Sequence, residues 1–192
     1  MKNIFSFLLA VISLFATFPY PVTPLQLSFL SAITIGVPSF FLALEPNHSL
    51  VKGKFLANVF RSALPGGLTD LIVVLGVEAF YLVFGFAESE LSTMSAILLV
   101  VIGILVLYEV CKPFDWKRRV LWGAMAGSGL VCILWFGESF GLSQLSLEAF
   151  LVLLVFLFAA YAIMRFMLGL FDAGETLWNG TRRLGRRVVR RR

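Results

Sequence analysis

The chain is poor in charge. Lysine, arginine, aspartate and glutamate together make 14% of its 192 residues, against about 25% in a soluble domain. That supply cannot build a water-compatible surface, which excludes a soluble globular protein. Cysteine and histidine are scarce too, at two and one. Cys111 and Cys132 form no CxxC pair and lie in apolar surroundings, so they read as buried thiols. His48 follows a proline in a polar link and reads as a solvated loop residue, not a metal ligand. No GxxxxGK[ST] or HExxH occurs, so these phosphate-binding and zinc-protease motifs give no support for such chemistry. No polar block is long enough to be a soluble catalytic domain. Neither half of the chain mirrors the other, so an inverted-repeat transporter gains no support.

Apolar sequence is what the chain has, at 59% hydrophobic residues. It falls into six segments, at about 4–18, 25–44, 64–86, 94–111, 120–136 and 147–171. Most approach the roughly 20 residues that cross a bilayer as a helix, and the first is short. The runs are continuous and do not alternate, which excludes the strands of a membrane barrel. The expected fold is all-α: a polytopic transmembrane helix bundle of about six spans over residues 1–175, with a basic tail at 176–192.

The links alternate in charge. Residues 19–23 have no basic side chain, whereas the next link holds His48, Lys52, Lys54 and Arg61. "AESELS" is acidic, "KPFDWKRR" is basic, and "GESFGLSQ" again lacks a basic residue. The tail "RRLGRRVVRRR" holds seven of the sixteen basic residues. The positive-inside rule therefore puts the basic links and both termini in the cytoplasm of a cell-membrane protein. The tail follows a membrane segment, so it reads as an anchor on anionic lipid and not as a nucleic-acid contact. Met1, Lys2 and Asn3 before an apolar run also fit a signal peptide. Against cleavage, "FATFPYP" offers no clean small-x-small pair.

Ionisable residues inside a span are functional candidates. Asp70 and Arg165 lie at depths that agree within roughly 3 Å, which makes an Asp70–Arg165 pair the structural expectation. Glu109 precedes Lys112 by three residues and reads as an interfacial pair. Glu78 lies about 12 Å further out than Asp70 on a similar face, with no basic residue at its depth. It sits there either as a hydrogen-bonded neutral acid or facing a polar cavity, which makes it an ion-pathway candidate. "GAMAGSG", beginning at Gly123, has the small-residue spacing of close helix packing. "ALPGGL" reads as the start of the third segment, with Pro65 in its first turns.

The second segment carries a weakened backbone, "ITIGVPSFFLALEPN". Pro38 has no N–H for the carbonyl of Thr34, and Gly36 removes a side chain beside it. The Thr34 hydroxyl lies on the same turn and Ser31 one turn earlier. Two readings fit: a kinked packing helix, or a locally opened helix whose oxygens ligate a hard cation.

These residues carry a resemblance. "PVTPLQLSFLSAITIGVPSFFLALEPN" resembles the linker and sixth transmembrane helix of cation-transporting P-type ATPases. Pro24, Gln26 and Leu27 match the family's Pro-x-Gln-Leu start. Thr34, Gly36 and Pro38 match its core, and Glu45–Pro46 match its exit. The form is most similar to the bacterial subgroup called cation-transporting ATPase E, associated with calcium. The six segments would then be helices five to ten of the pump. Ser31 stands where many calcium pumps carry asparagine. Ile35 stands where they carry the chelating aspartate, and the subgroup also has an apolar residue there. Thr34 and Ser31 remain as metal-ligand candidates, with Asn3 near a fifth-helix ligand position.

The resemblance implies a membrane part of the pump, contributing to a path for calcium or another divalent cation. The family's phosphorylated Asp-Lys-Thr-Gly and its nucleotide-binding and actuator domains are not in this sequence, so the chain is not expected to hydrolyse ATP alone. ATP and Mg²⁺ are implied for the full-length pump, and no cofactor for this chain. The expected partners are the lipid bilayer, the missing ATPase domains or N-terminal helices, and the transported cation. Two rival readings stand beside this one. The chain is a stand-alone membrane subunit or interaction protein, or it is a small secondary transporter using Asp70 and Glu78.

Overall fold

A computed structural model describes the backbone of residues 2–15, 20–44 and 55–189, and the side chains within 4–14, 20–44, 63–171 and 173–174. Every regular element described is helical, in the order α1 (Lys2–Phe15), α2 (Pro24–Ser31), α3 (Val37–Ala43), α4 (Phe55–Phe84), α5 (Glu88–Val110), α6 (Trp116–Trp135) and α7 (Leu147–Val189). A π turn, Ala32–Gly36, joins α2 to α3 as one span, Pro24–Ala43. Four stretches among the described residues are long and apolar enough to cross a membrane: Pro24–Ala43, Ala63–Phe84, Glu88–Val110 and Leu147–Phe171. The chain is thus a multi-pass, all-helical membrane protein. Ile4–Leu14 is a shorter apolar helix. In α6, Lys117, Arg118 and Arg119 occupy the first turn and shorten its apolar part.

Pro65 keeps its expected place in the span, but not at the start of the helix. It lies in the first turn of the span Ala63–Phe84, but α4 begins at Phe55, so the proline is inside a longer helix. Thr69 sits one turn on and donates its hydroxyl to the Pro65 carbonyl at 2.7 Å. The basic residues after the last apolar run likewise continue α7, whose backbone is helical to Val189.

Two apolar clusters hold the bundle together. Val73 and Val77 of α4 meet Met94, Leu98 and Ile102 of α5 and Leu153 and Ala160 of α7. On the other side, Val74 and Leu99 join Phe5 and Leu9 of α1 and Leu30 of α2. Helix α5 serves both clusters, as the near-continuous apolar run of its sequence requires. The turn between α4 and α5 is made by Gly85, at φ 67°, whose N–H closes α4 onto the Tyr81 carbonyl at 2.9 Å. A residue with a Cβ would be strained there.

One end of the bundle is closed by polar contacts among elements far apart in sequence. Thr23 and Gln26 cap α2 reciprocally: the Gln26 N–H donates to Thr23 Oγ1 at 3.3 Å, and the Thr23 N–H donates to Gln26 Oε1 at 2.9 Å. Gln26 is buried and its amide reaches further. Nε2 donates to the Gly141 carbonyl at 3.2 Å, while Oε1 accepts the Ser92 hydroxyl at 2.8 Å. Beside it, Glu90 accepts the Ala87 and Ser146 N–H groups at 3.1 and 2.8 Å. Thr93 Oγ1 accepts the Ser143 N–H at 2.9 Å. These bonds tie the starts of α2 and α5 to the link between α6 and α7.

Gln26→Leu keeps the approximate volume and leaves Ser92, Gly141 and the Thr23 N–H without their partner. The expected cost is about 1–3 kcal/mol. It is read as a lower unfolding midpoint of the purified chain in detergent.

Candidate ion site

The expected weak point in the second span is present, and it takes a specific form. The helix does not kink open at Pro38. It widens one turn earlier, so that the Val37 N–H reaches the Ala32 carbonyl, five residues back. In that register the next donor would serve Ile33, but the next residue is Pro38, which has no N–H. Pro38 thus offers no donor to Ile33 in the wide register, nor to Thr34 in the α register. Just beyond the turn, Ser39 donates its hydroxyl back to the carbonyls of Ile35 and Gly36.

Ser31, Thr34, Gly36 and Pro38 sit together around this turn. Thr34 is buried, and its Oγ1 donates to the Leu30 carbonyl at 2.8 Å. Ser31 is half-buried and donates to the Leu27 carbonyl. Each hydroxyl spends its proton on a carbonyl one turn back, and the Thr34 oxygen keeps lone pairs that can accept. Ile35, where many calcium pumps carry a carboxylate, is 42% exposed, unlike the buried Thr34 beside it. The side chain of Asn3 lies outside the described residues, as do Glu45 and Pro46.

What holds Thr34 is a residue that the sequence reading missed. Gly103 lies in α5 directly against it: a Cβ on Gly103 would come within 2.4 Å of Thr34 Cγ2 and 2.8 Å of Thr34 Cβ. Only a glycine lets the two backbones approach this closely. The signal was a lone glycine in the apolar run "LVVIGILV". By contrast, Gly123 and Gly127 of the "GAMAGSG" stretch face open space, and Gly129 alone of that group packs, against Val100, Ile104 and Ile33.

The charged candidates lie elsewhere. Asp70 and Arg165 are at matching levels, since Thr69 Oγ1 contacts Met164 Sδ at 3.6 Å. They do not pair. Asp70 is 2% exposed with its Oδ1 lacking a hydrogen-bond partner, whereas Arg165 is exposed. One residue past Met164 is about 100° further around the helix, which turns the guanidinium out of the bundle. Glu78 is also 2% exposed, and neither carboxyl oxygen has a hydrogen-bond partner. Glu109 and Lys112 form the expected ion pair at 2.8 Å. Among the described residues no group of three or more His, Cys, Asp or Glu converges as a metal cluster.

Gly103→Ala drives a methyl group into Thr34, with an expected cost of about 1–3 kcal/mol. Thr34→Ser removes the nearer of the two clashing carbons, so it recovers part of that loss. A double-mutant cycle on thermal unfolding checks the coupling.

Known proteins similar to this chain include bacterial cation-transporting ATPases. The chain is 34% identical over 129 residues to the probable cation-transporting ATPase exp7 of Streptococcus pneumoniae, covering 63% of this chain and 17% of that protein. It is 30% identical over 138 residues to the calcium-transporting ATPase CtpE of Mycolicibacterium smegmatis, covering 62% of this chain and 17% of that protein. It is 27% identical over 139 residues to the CtpE of Mycobacterium tuberculosis, covering 68% and 16%. No family model matches, and no solved structure does. The chain spans about a sixth of the length of these relatives. The resemblance first carried by Gln26, Thr34, Gly36 and Pro38 is therefore borne out: over roughly two thirds of its length, the chain is similar to a segment of bacterial cation-transporting ATPases.

Proposed function

We propose that the chain acts as a membrane segment of a P-type cation pump, and that the π turn of the second span supplies part of the ion path. The observation that carries this reading is the turn itself. A wide turn before a proline lacks one helical donor, and Thr34 within that turn and Ser31 just before it carry hydroxyl oxygens. Hard cations are bound by oxygens of this kind. Calcium is the cation named for two of the relatives, and it is proposed here on that likeness. A calcium site needs more oxygens and more negative charge than this turn offers. The remaining ligands would come from helices outside this chain.

The exposed face of the same span fits that arrangement. Ile35, Val37 and Phe40 are uncovered, on a helix whose opposite side is packed against α5. In a complete pump, N-terminal helices would lie against this face. ATP hydrolysis and its Mg²⁺ would belong to parts of the pump beyond this chain. Six crossings, with the basic links and the C-terminus in the cytoplasm, complete the reading. In it, α1 and α6 cross together with the four long spans.

Joined to its ATPase part, Thr34→Ala is expected to raise the cation concentration needed for half-maximal transport by about tenfold. Transport into inverted vesicles measures this, and an unchanged affinity removes Thr34 from the path. The isolated chain in proteoliposomes is expected to move no cation down a gradient. ATP-independent uptake would instead establish the secondary-transporter reading.

A further inference from the structure

Helices α6 and α7 both pack on α5, but among the described residues they are not in regular contact with each other. Between them lies a cleft of about 530 Å³ that opens outward. Thr93 and Ile97 line it from α5, Ile133 from α6 and Phe150 from α7, and the link 142–146 lines the end closed by Gln26. Clefts of roughly 300–1,000 Å³ are the size that takes a small organic ligand.

The cleft sits where two spans begin. Glu88–Val110 and Leu147–Phe171 both start beside it, which places it where hydrocarbon gives way to headgroups. Its lining changes in the same direction. Thr93 and the link supply polar side chains near the span ends, whereas Ile97 lies one turn deeper on α5. Most polar groups here are already used: Thr93 Oγ1 donates to the Ser89 carbonyl and accepts the Ser143 N–H, and the Ser146 N–H donates to Glu90. Gln144 differs. It is exposed, and its side-chain amide makes no hydrogen bond within the protein.

Charge at this end has one sign. Residues 20–26, 85–93 and 136–148 include Glu88, Glu90, Glu138 and Glu148, and no lysine or arginine. Glu90 is fixed at the edge of the cleft by the Ser146 N–H at 2.8 Å, and Glu148 follows Ser146 by two residues. Such a surface repels an anionic headgroup and attracts an ammonium group.

We propose that the cleft between α6 and α7 holds one zwitterionic phospholipid of the surrounding bilayer. An acyl chain lies against Ile97, Ile133 and Phe150. The Gln144 amide donates to the phosphate, and the headgroup ammonium faces the glutamates around the link. From Thr93 to Ile97 the lining covers one turn of α5, about 6 Å, which is too short a seat for a second membrane helix. The site rests on the membrane character of the chain and not on the ion path.

The test uses the full chain, purified in an uncharged detergent and stripped of lipid. Phosphatidylethanolamine or phosphatidylglycerol with the same acyl chains is added at rising mole fraction, and the unfolding midpoint is followed. Phosphatidylethanolamine is expected to raise the midpoint saturably, as a ligand of the folded state does. Phosphatidylglycerol is expected to need about tenfold more lipid for the same effect. Ile97→Phe, which fills the cleft, is expected to weaken the phosphatidylethanolamine response by about tenfold, and Gln144→Ala by about threefold. Glu148→Gln is expected to narrow the difference between the two lipids. Leu151→Ala, at an exposed position of α7 outside the lining, is expected to change nothing. Absence of a saturable shift overturns the proposal, as does an equal or stronger response to phosphatidylglycerol or an unchanged response in Ile97→Phe. If Ile97→Phe does not fold, an unchanged response in Gln144→Ala overturns it. A lipid-free midpoint that rises with protein concentration, and ceases to do so in Ile97→Phe, would put a second copy of the chain in the cleft and overturn it as well. Failure on any of these counts leaves the ATP-driven transport measurement untouched.

Discussion

The close approach of α2 and α5 at Thr34 and Gly103 is the constraint on which the rest of the second span depends. With a glycine at that point, the threonine sinks against the neighbouring backbone and is buried. Its side chain then turns back on the Leu30 carbonyl. The proline that follows removes one donor, and the helix answers by widening through Ala32–Gly36 instead of breaking. A π turn keeps most of the backbone hydrogen-bonded while leaving a carbonyl opposite the proline. Local chemistry and helix packing thus act on the same turn. That agreement is what makes it a stable irregularity in an apolar setting.

Polar groups in this bundle separate into two kinds. At the end closed by Gln26, three buried or bridging groups have partners: the amide of Gln26, the carboxylate of Glu90 and the hydroxyl of Thr93 join the starts of two spans to the α6–α7 link. In the middle of the bundle, Asp70, Glu78 and Ser95 are equally buried and have unpartnered oxygens. The first kind stabilises, because a satisfied bond in a low dielectric is strong. The second costs stability by the same physics. Such a cost is retained where a group serves something besides folding, which is the basis for regarding α4 and α5 as more than scaffold.

Much of the fold could be read from residue order. Continuous apolar runs required helices, and the Glu109–Lys112 pair followed from spacing. Depth was legible too, since counting residues from a span end placed Asp70 and Arg165 level, and the Thr69–Met164 contact agrees. Direction around the helix was not. Arg165 is one position past Met164 and faces outward, so the pair expected from depth does not form. The "GAMAGSG" stretch had the spacing of a packing motif, yet Gly123 and Gly127 meet nothing within this chain. The single glycine in "LVVIGILV", which had no spacing to recommend it, makes the closest approach.

By itself, the sequence determined the helical class, the places where the chain enters and leaves its long spans, the weak turn before Pro38 and the likeness to cation-transporting ATPases. These depend on hydropathy, on the covalent chemistry of proline and on local order, all of which a one-dimensional string carries. Only the tertiary structure decided that Thr34 faces Gly103, that Arg165 turns away from Asp70, and that Glu78 and Ser95 are buried without hydrogen-bond partners. Those outcomes depend on which faces of separate helices meet. That is set by the packing of side chains distant in sequence, and no local pattern records it.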